Sequence, residues 1–231
     1  MNKSIILPFL CALFFIACSS NESELELNTL ENESSYLQSY TLLRDVDGRY
    51  SLDINVKENT QVDNFTQPNS VNEIVFSKVN YPTEKNISND YTIENDFLKI
   101  NFLESSKGQK SFIQVKDDNI QYANKNGVTK FLKKYSVTKN EDGTFTLNFH
   151  VHKNVTTNFV YNEAIETYEV HLAEGKSKTR KFSKELAVPT SKILRVDFVN
   201  YTDKVESKNY SSKDYNSAAN NRKPKIIIVS G

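Results

Sequence analysis

The sequence predicts an all-β protein whose folded part is two tandem small antiparallel β-sandwiches, preceded by a leader and a flexible tether. Three observations predict it. Apolar and polar residues alternate with a period of two, as with Tyr50, Leu52, Ile54 and Val56 against Ser51, Asp53, Asn55 and Lys57; this is the pattern of a strand buried on one face. The pattern returns at an offset of 95 residues, so that Tyr36-Leu37 and Tyr40 fall on Phe131-Leu132 and Tyr135, and Asp47-Gly48-Arg49-Tyr50 falls on Asp142-Gly143-Thr144-Phe145. Glycine and proline, finally, are confined mostly to the joints between these runs.

In chain order, residues 1–17 come first. Met1-Asn2-Lys3 is a short positive start, and Ile5 to Ala17 is uncharged and apolar except at Pro8, the layout of a secretory signal peptide. The run is too short to cross a bilayer comfortably. It ends in Phe15-Ile16-Ala17-Cys18, which resembles the lipobox of bacterial lipoproteins, with Phe15 where that family usually has Leu. The resemblance implies acylation of Cys18, which becomes the new N-terminus and anchors the protein, since each buried CH₂ contributes about 0.8 kcal/mol. The palmitate-bearing anchor is the one lipid partner expected. Residues 18–35 form an acidic tether with Glu22, Glu24, Glu26, Glu31 and Glu33. An acidic run after the cysteine is similar to the surface-export signal of Bacteroidota lipoproteins, and implies the outer face of the outer membrane.

The first β-unit is read over 36–124. Tyr40–Leu43 turns back through Asp45-Val46-Asp47-Gly48, where Gly48 suits a tight hairpin, into Tyr50–Val56. Further strands are expected at Gln61–Thr66, Glu73–Val79, Phe97–Leu103 and Ser111–Val115. A polar joint at Ala123–Gly127 precedes the second unit, read over 128–231. There, strands are expected at Tyr135–Lys139, Thr144–Lys153, Thr156–Tyr161, Thr167–Ala173, Lys192–Val199 and Lys225–Val229, and Phe97-Leu98-Lys99-Ile100 matches Ile193-Leu194-Arg195-Val196. Ser207–Pro224 is an enlarged polar loop with only a short counterpart near Ser105–Lys110. An immunoglobulin-like sandwich is the expected architecture of each unit. The cysteine pair and core tryptophan of antibody domains are absent, because both cysteines, Cys11 and Cys18, precede the folded part and the chain has no Trp.

Composition excludes several function classes. With 38% hydrophobic and 25% charged residues, 14 Phe and 12 Tyr, the chain can bury a core. Lys+Arg and Asp+Glu both number 29, so no basic excess points to nucleic acid. Without cysteine, the folded part has no thiol nucleophile or thiolate metal site. No Gly-rich phosphate loop or Gly-x-Ser-x-Gly elbow occurs.

Two candidate sites remain. His150-x-His152 places two rings on one face of a strand, and His171 on a neighbouring strand would complete a three-nitrogen zinc or copper site. Against this, the histidines lie on the polar face of their strand, beside Thr146 and Asn148. Lys176, Lys178, Arg180, Lys181 and Lys184 form a basic cluster between two strands that would attract an anionic glycan, a lipid headgroup or an acidic protein. The expected function is a non-enzymatic, membrane-anchored binding or adhesion module for a protein or glycan, with no cofactor. The alternatives are a metal-binding lipoprotein or metal-dependent hydrolase built on the three histidines, and a subunit of an envelope complex.

Overall fold

A computed structural model describes residues 36–68, 70–91, 93, 97–105, 108–117, 131–200 and 226–229. The leader, Cys18, the acidic tether, the joint at 123–127 and the polar loop at 207–224 lie outside the described residues. Contacts divide the chain into Met1–Leu30 and Glu31–Gly231, and every described element belongs to the second unit.

The described chain is all-β: β1 (Leu37–Arg44), β2 (Tyr50–Val56), β3 (Thr60–Thr66), β4 (Val71–Lys78), β5 (Asn86–Tyr91), β6 (Phe97–Glu104), β7 (Gly108–Lys116), β8 (Leu132–Lys139), β9 (Phe145–Val151), β10 (Val155–Asn162), β11 (Thr167–Glu174), β12 (Lys181–Leu186), β13 (Ile193–Asn200) and β14 (Ile226–Val229), with a short 3-10 turn at Glu163–Ile165. They form two open sheets packed together. The six-stranded sheet has the order β12-β9-β8-β1-β2-β5, and the eight-stranded sheet has the order β10-β11-β13-β14-β7-β6-β4-β3.

Adding seven to each strand number of the first half reproduces every pairing in the second. Thus β1–β2 recurs as β8–β9, β2–β5 as β9–β12, β3–β4 as β10–β11, β4–β6 as β11–β13 and β6–β7 as β13–β14. Turn geometry recurs too. Gly48 and Gly143 have φ of 82° and 83°, and Asn59 and Asn154 have φ of 59° and 60°. Positive φ is a conformation that Gly, and then Asn, adopts most cheaply.

The sheet order corrects the expectation of two separately closed sandwiches. The halves join through β1 against β8 and through β7 against β14, both antiparallel, so each half contributes strands to both sheets. In the first junction Leu42 lies opposite Val137 with Tyr40 opposite Lys139 and Arg44 opposite Tyr135, the register of a local pseudo-dyad centred on Leu42 and Val137. A strand edge left open in a single half is satisfied by its copy, which removes two aggregation-prone edges at once. The ladders also depart from the wholly antiparallel expectation, because β4–β6 and β11–β13 are parallel. In each case the intervening strand, β5 or β12, belongs to the other sheet.

The alternation read from the sequence determines the inner faces. Tyr50, Leu52, Ile54 and Val56 of β2 are buried, as are Phe145, Leu147, Phe149 and Val151 of β9, and they join Ile100, Ile113, Val196 and Ile226 of the opposite sheet in one core. Aromatic pairs bridge the sheets at equivalent places: the ring centres of Tyr40 and Phe102, which stack, are 5.3 Å apart, and those of Tyr135 and Phe198, which are tilted, are 5.0 Å apart. Such pairs add about 0.5–1.5 kcal/mol beyond the area they bury. Two strands, β5 and β12, were not expected from the sequence, and the second corrects the placing of Lys181 and Lys184 in a connection between strands.

Candidate functional site

Inward alternation in the six-stranded sheet forces the intervening residues onto its outer face, where they line up in rows across the strands. In the first half one row is Asn86, Asn55, Ser39 and the next is Ser88, Asp53, Thr41. Together these six residues line an open groove of about 350 Å³. The Ser88 hydroxyl donates to Asp53 Oδ1 at 2.6 Å, and Asn55 Nδ2 donates to Glu141 Oε1 at 3.3 Å. The groove is therefore hydroxyl- and amide-rich with an acidic bias. At the pseudo-dyad the two halves meet on this face through Thr41 Oγ1 and Thr138 Oγ1, 2.9 Å apart.

The equivalent rows of the second half have the same backbone and a different charge. Lys181 lies opposite His150, which lies opposite Lys134; beside them run Ser183, Asn148 and Ser136. Asn86, Asn55 and Ser39 are thus replaced by Lys181, His150 and Lys134. Partial burial lowers the pKa of His150, and the charges of Lys134, Lys181 and Lys133 lower it further. Burial and then Lys133 lower that of His152. Burial first, and then the cations around it, favour the neutral imidazole of His150.

The three histidines are not brought together. His150 lies on the outer face of the six-stranded sheet and His152 directly follows its strand, whereas His171 is in β11 of the eight-stranded sheet. His171 alternates with the core residues Val170 and Leu172, so it occupies the opposite outer face with both sheets between. It is buried and pairs through Nε2 with Glu169 Oε2 at 2.7 Å, while Asn162 Nδ2 donates to Glu169 Oε1 at 3.2 Å. No group of three or more His, Cys, Asp or Glu among the described residues is placed to hold a metal.

The basic cluster is dispersed in a similar way. Lys176, Lys178 and Arg180 lie in the connection from β11 to β12, where the Arg180 carbonyl accepts from Val151 N at 3.0 Å. Lys184 points along the inner side of β12, with Nζ 5.6 Å from the centre of the Phe159 ring, a cation–π contact closing the open side of the sandwich. Only Lys181 joins the row at His150. Lys134 was missed because it is an unremarkable lysine in sequence; comparing the aligned copies for changes of charge, Ser39 to Lys134 and Asn86 to Lys181, would have found it.

A second polar cluster lies inside the fold. Arg44 and Asp117 are buried, and Arg44 Nε donates to Asp117 Oδ2 at 2.5 Å. The same carboxylate oxygen accepts from the Tyr50 hydroxyl at 2.9 Å, and the Tyr50 and Tyr135 oxygens lie 2.8 Å apart. Desolvation pushes both tyrosine pKa values up. Burial alone would lower that of Arg44, but Asp117 outweighs it and the guanidinium stays charged. This network ties one half to the other.

No protein-family model, no curated protein and no solved structure matches this chain.

Proposed function

We propose that this chain is a lipid-anchored, surface-displayed binding module of a bacterial outer membrane, non-enzymatic, with the outer face of its six-stranded sheet as the recognition surface. The supporting observation is that face itself. Row after row presents hydroxyls, amides and charges on a rigid ladder, with a groove in one half and a cationic row in the other. Side chains fixed on strands hold a ligand more reproducibly than loop residues do. Anchoring rests on Cys18 and the apolar run before it, and display rests on the acidic residues after it. The recurrent pairings and turn angles support a tandem duplication of one β-unit as the origin of this surface, after which the two halves of the face diverged in charge.

Incorporation of a clickable palmitate analogue, compared between the native chain and Cys18→Ser, tests the anchor; label on the native chain alone is expected. Protease treatment of intact cells tests display. Digestion without breaking the outer membrane is expected, and protection until it is broken would place the protein inside. Crosslinking on intact cells distinguishes a free binding module from a subunit of an envelope complex, since a subunit would be captured in fixed stoichiometry with other envelope proteins.

A further inference from the structure

We propose that Lys181, His150 and Lys134 form a subsite for an anionic polysaccharide, with sulfate or carboxylate groups bound along the row and sugar hydroxyls bound by Ser183, Asn148 and Ser136. The register sets the geometry. Each residue of the row is the direct cross-strand neighbour of the next, and strands are about 4.8 Å apart, so the two lysine positions are separated by about 10 Å. That span is comparable with a disaccharide. The row has positive charge at its ends and a titratable ring in its middle, and the row beside it supplies neutral donors and acceptors.

Two observations favour a glycan over an acidic protein. Protein interfaces are centred on buried aromatic or aliphatic anchors, yet the exposed large hydrophobic residues of the described chain, Val46, Phe65, Tyr81, Phe97, Tyr161 and Val188, lie on turns, on connections or in the other sheet. The face instead offers what a polyhydroxylated anion needs, alternating charge and hydroxyl or amide partners in fixed register. The first half supplies an internal comparison. There the same backbone carries Asn86, Asn55 and Ser39 beside Asp53, a set that would repel an anion.

His150 makes the subsite acid-tuned. The charged groups acting on it are Lys133 and Lys134 from β8 and Lys181 from β12, all cationic. An anion bound on the row screens these charges and favours the imidazolium, so binding takes up a proton and tightens as pH falls.

The inference rests on the proposed binding role for this face, but its test uses the detergent-solubilised full-length chain and is independent of anchoring and display. Titration calorimetry would compare a sulfated oligosaccharide, an oligouronate, a neutral oligosaccharide of equal length, poly-glutamate and inorganic sulfate. One or both anionic oligosaccharides are expected to bind, which separates sulfate from carboxylate, and the neutral one is not. Lys134→Gln and Lys181→Gln should each weaken binding by about tenfold, whereas Lys57→Gln in the other half should not. Going from pH 7.5 to 5.5 should tighten native binding by about threefold or more, and His150→Gln should abolish that gain. Both lysine substitutions are on solvent-facing positions of different strands, and circular dichroism verifies their fold. The proposal is overturned if no anionic oligosaccharide binds, if both folded lysine variants bind like the native chain, or if poly-glutamate or inorganic sulfate binds as tightly as the oligosaccharides. Any of these results leaves Cys18 lipidation and surface display standing.

Discussion

At the scale of single residues, the buried Arg44–Asp117 pair has the most to lose. Its two charges are almost wholly removed from water, with side-chain exposures of 4% and 5%, and deleting one leaves the other uncompensated. Arg44→Met is expected to reduce unfolding free energy by about 3–5 kcal/mol, measured by urea denaturation, whereas Arg44→Met with Asp117→Leu should recover most of that loss. The aligned position in the second half is Lys139, so comparison of the two copies did not mark Arg44 as pointing inward. Its alternation with Leu42 did contain the signal, because an arginine in phase with buried residues needs an acidic partner. His150 and His152 carry the opposite lesson, since their surface position was legible from Phe149 and Val151. Their lowered pKa values set a sign for acid stability. As pH falls through the unfolded value of about 6.5, the unfolded chain takes up protons before the native one, so stability declines. Stability is unaffected by these groups well above that pH. Replacing both with Gln should flatten the decline between about pH 6.5 and 5, followed by denaturant midpoints across that range.

At the scale of elements, the turns were the most legible parts. Asp47-Gly48 and Asp142-Gly143 close equivalent hairpins, with Asn140 N donating to the Thr144 carbonyl at 2.8 Å and Asp45 N to the Arg49 carbonyl at 2.9 Å. No atom lies within 4 Å of a Cβ built on Gly143, but its φ is +83°. Gly143→Ala should therefore cost about 1–2 kcal/mol through backbone strain alone, with no change in the core, and thermal unfolding of the folded variant tests this. The strands with a fully buried inner face, β2 and β9 above all, were legible from alternation. The two missed strands, β5 and β12, are symmetry mates and both are sheet edges. Each pairs on one side only, and their sequences Asn-Ile-Ser-Asn-Asp-Tyr and Lys-Phe-Ser-Lys-Glu-Leu hold few apolar residues. Pairing with β2 and β9, rather than local pattern, makes them strands. Placing Lys181 and Lys184 in a connection followed from the same omission, and it hid the row at His150.

At the scale of the whole molecule, the repeat was legible in the sequence, but which edges the copies share was not. Periodicity reports which face of a strand is buried, not which strand lies beside it. Two copies closing separately and two copies exchanging edges have the same alternation and the same turns. The shared arrangement has an energetic consequence. Leu42 and Val137 are fully buried at the pseudo-dyad, and the core joins residues of both halves in both sheets, so neither half has a complete core of its own. Leu42→Ala removes apolar contacts at that centre and should cost about 2–5 kcal/mol. In separate sandwiches the loss would be confined to the first half. In the shared fold it should lower the unfolding free energy of both halves equally, because opening either one exposes the other. Native-state hydrogen exchange resolves the difference: amides of β6, in the first half, and of β13, in the second, should lose the same protection in the variant. Unchanged protection of β13 beside a destabilised β6 would show that the halves unfold independently and that the edges joining them contribute little to holding the molecule together.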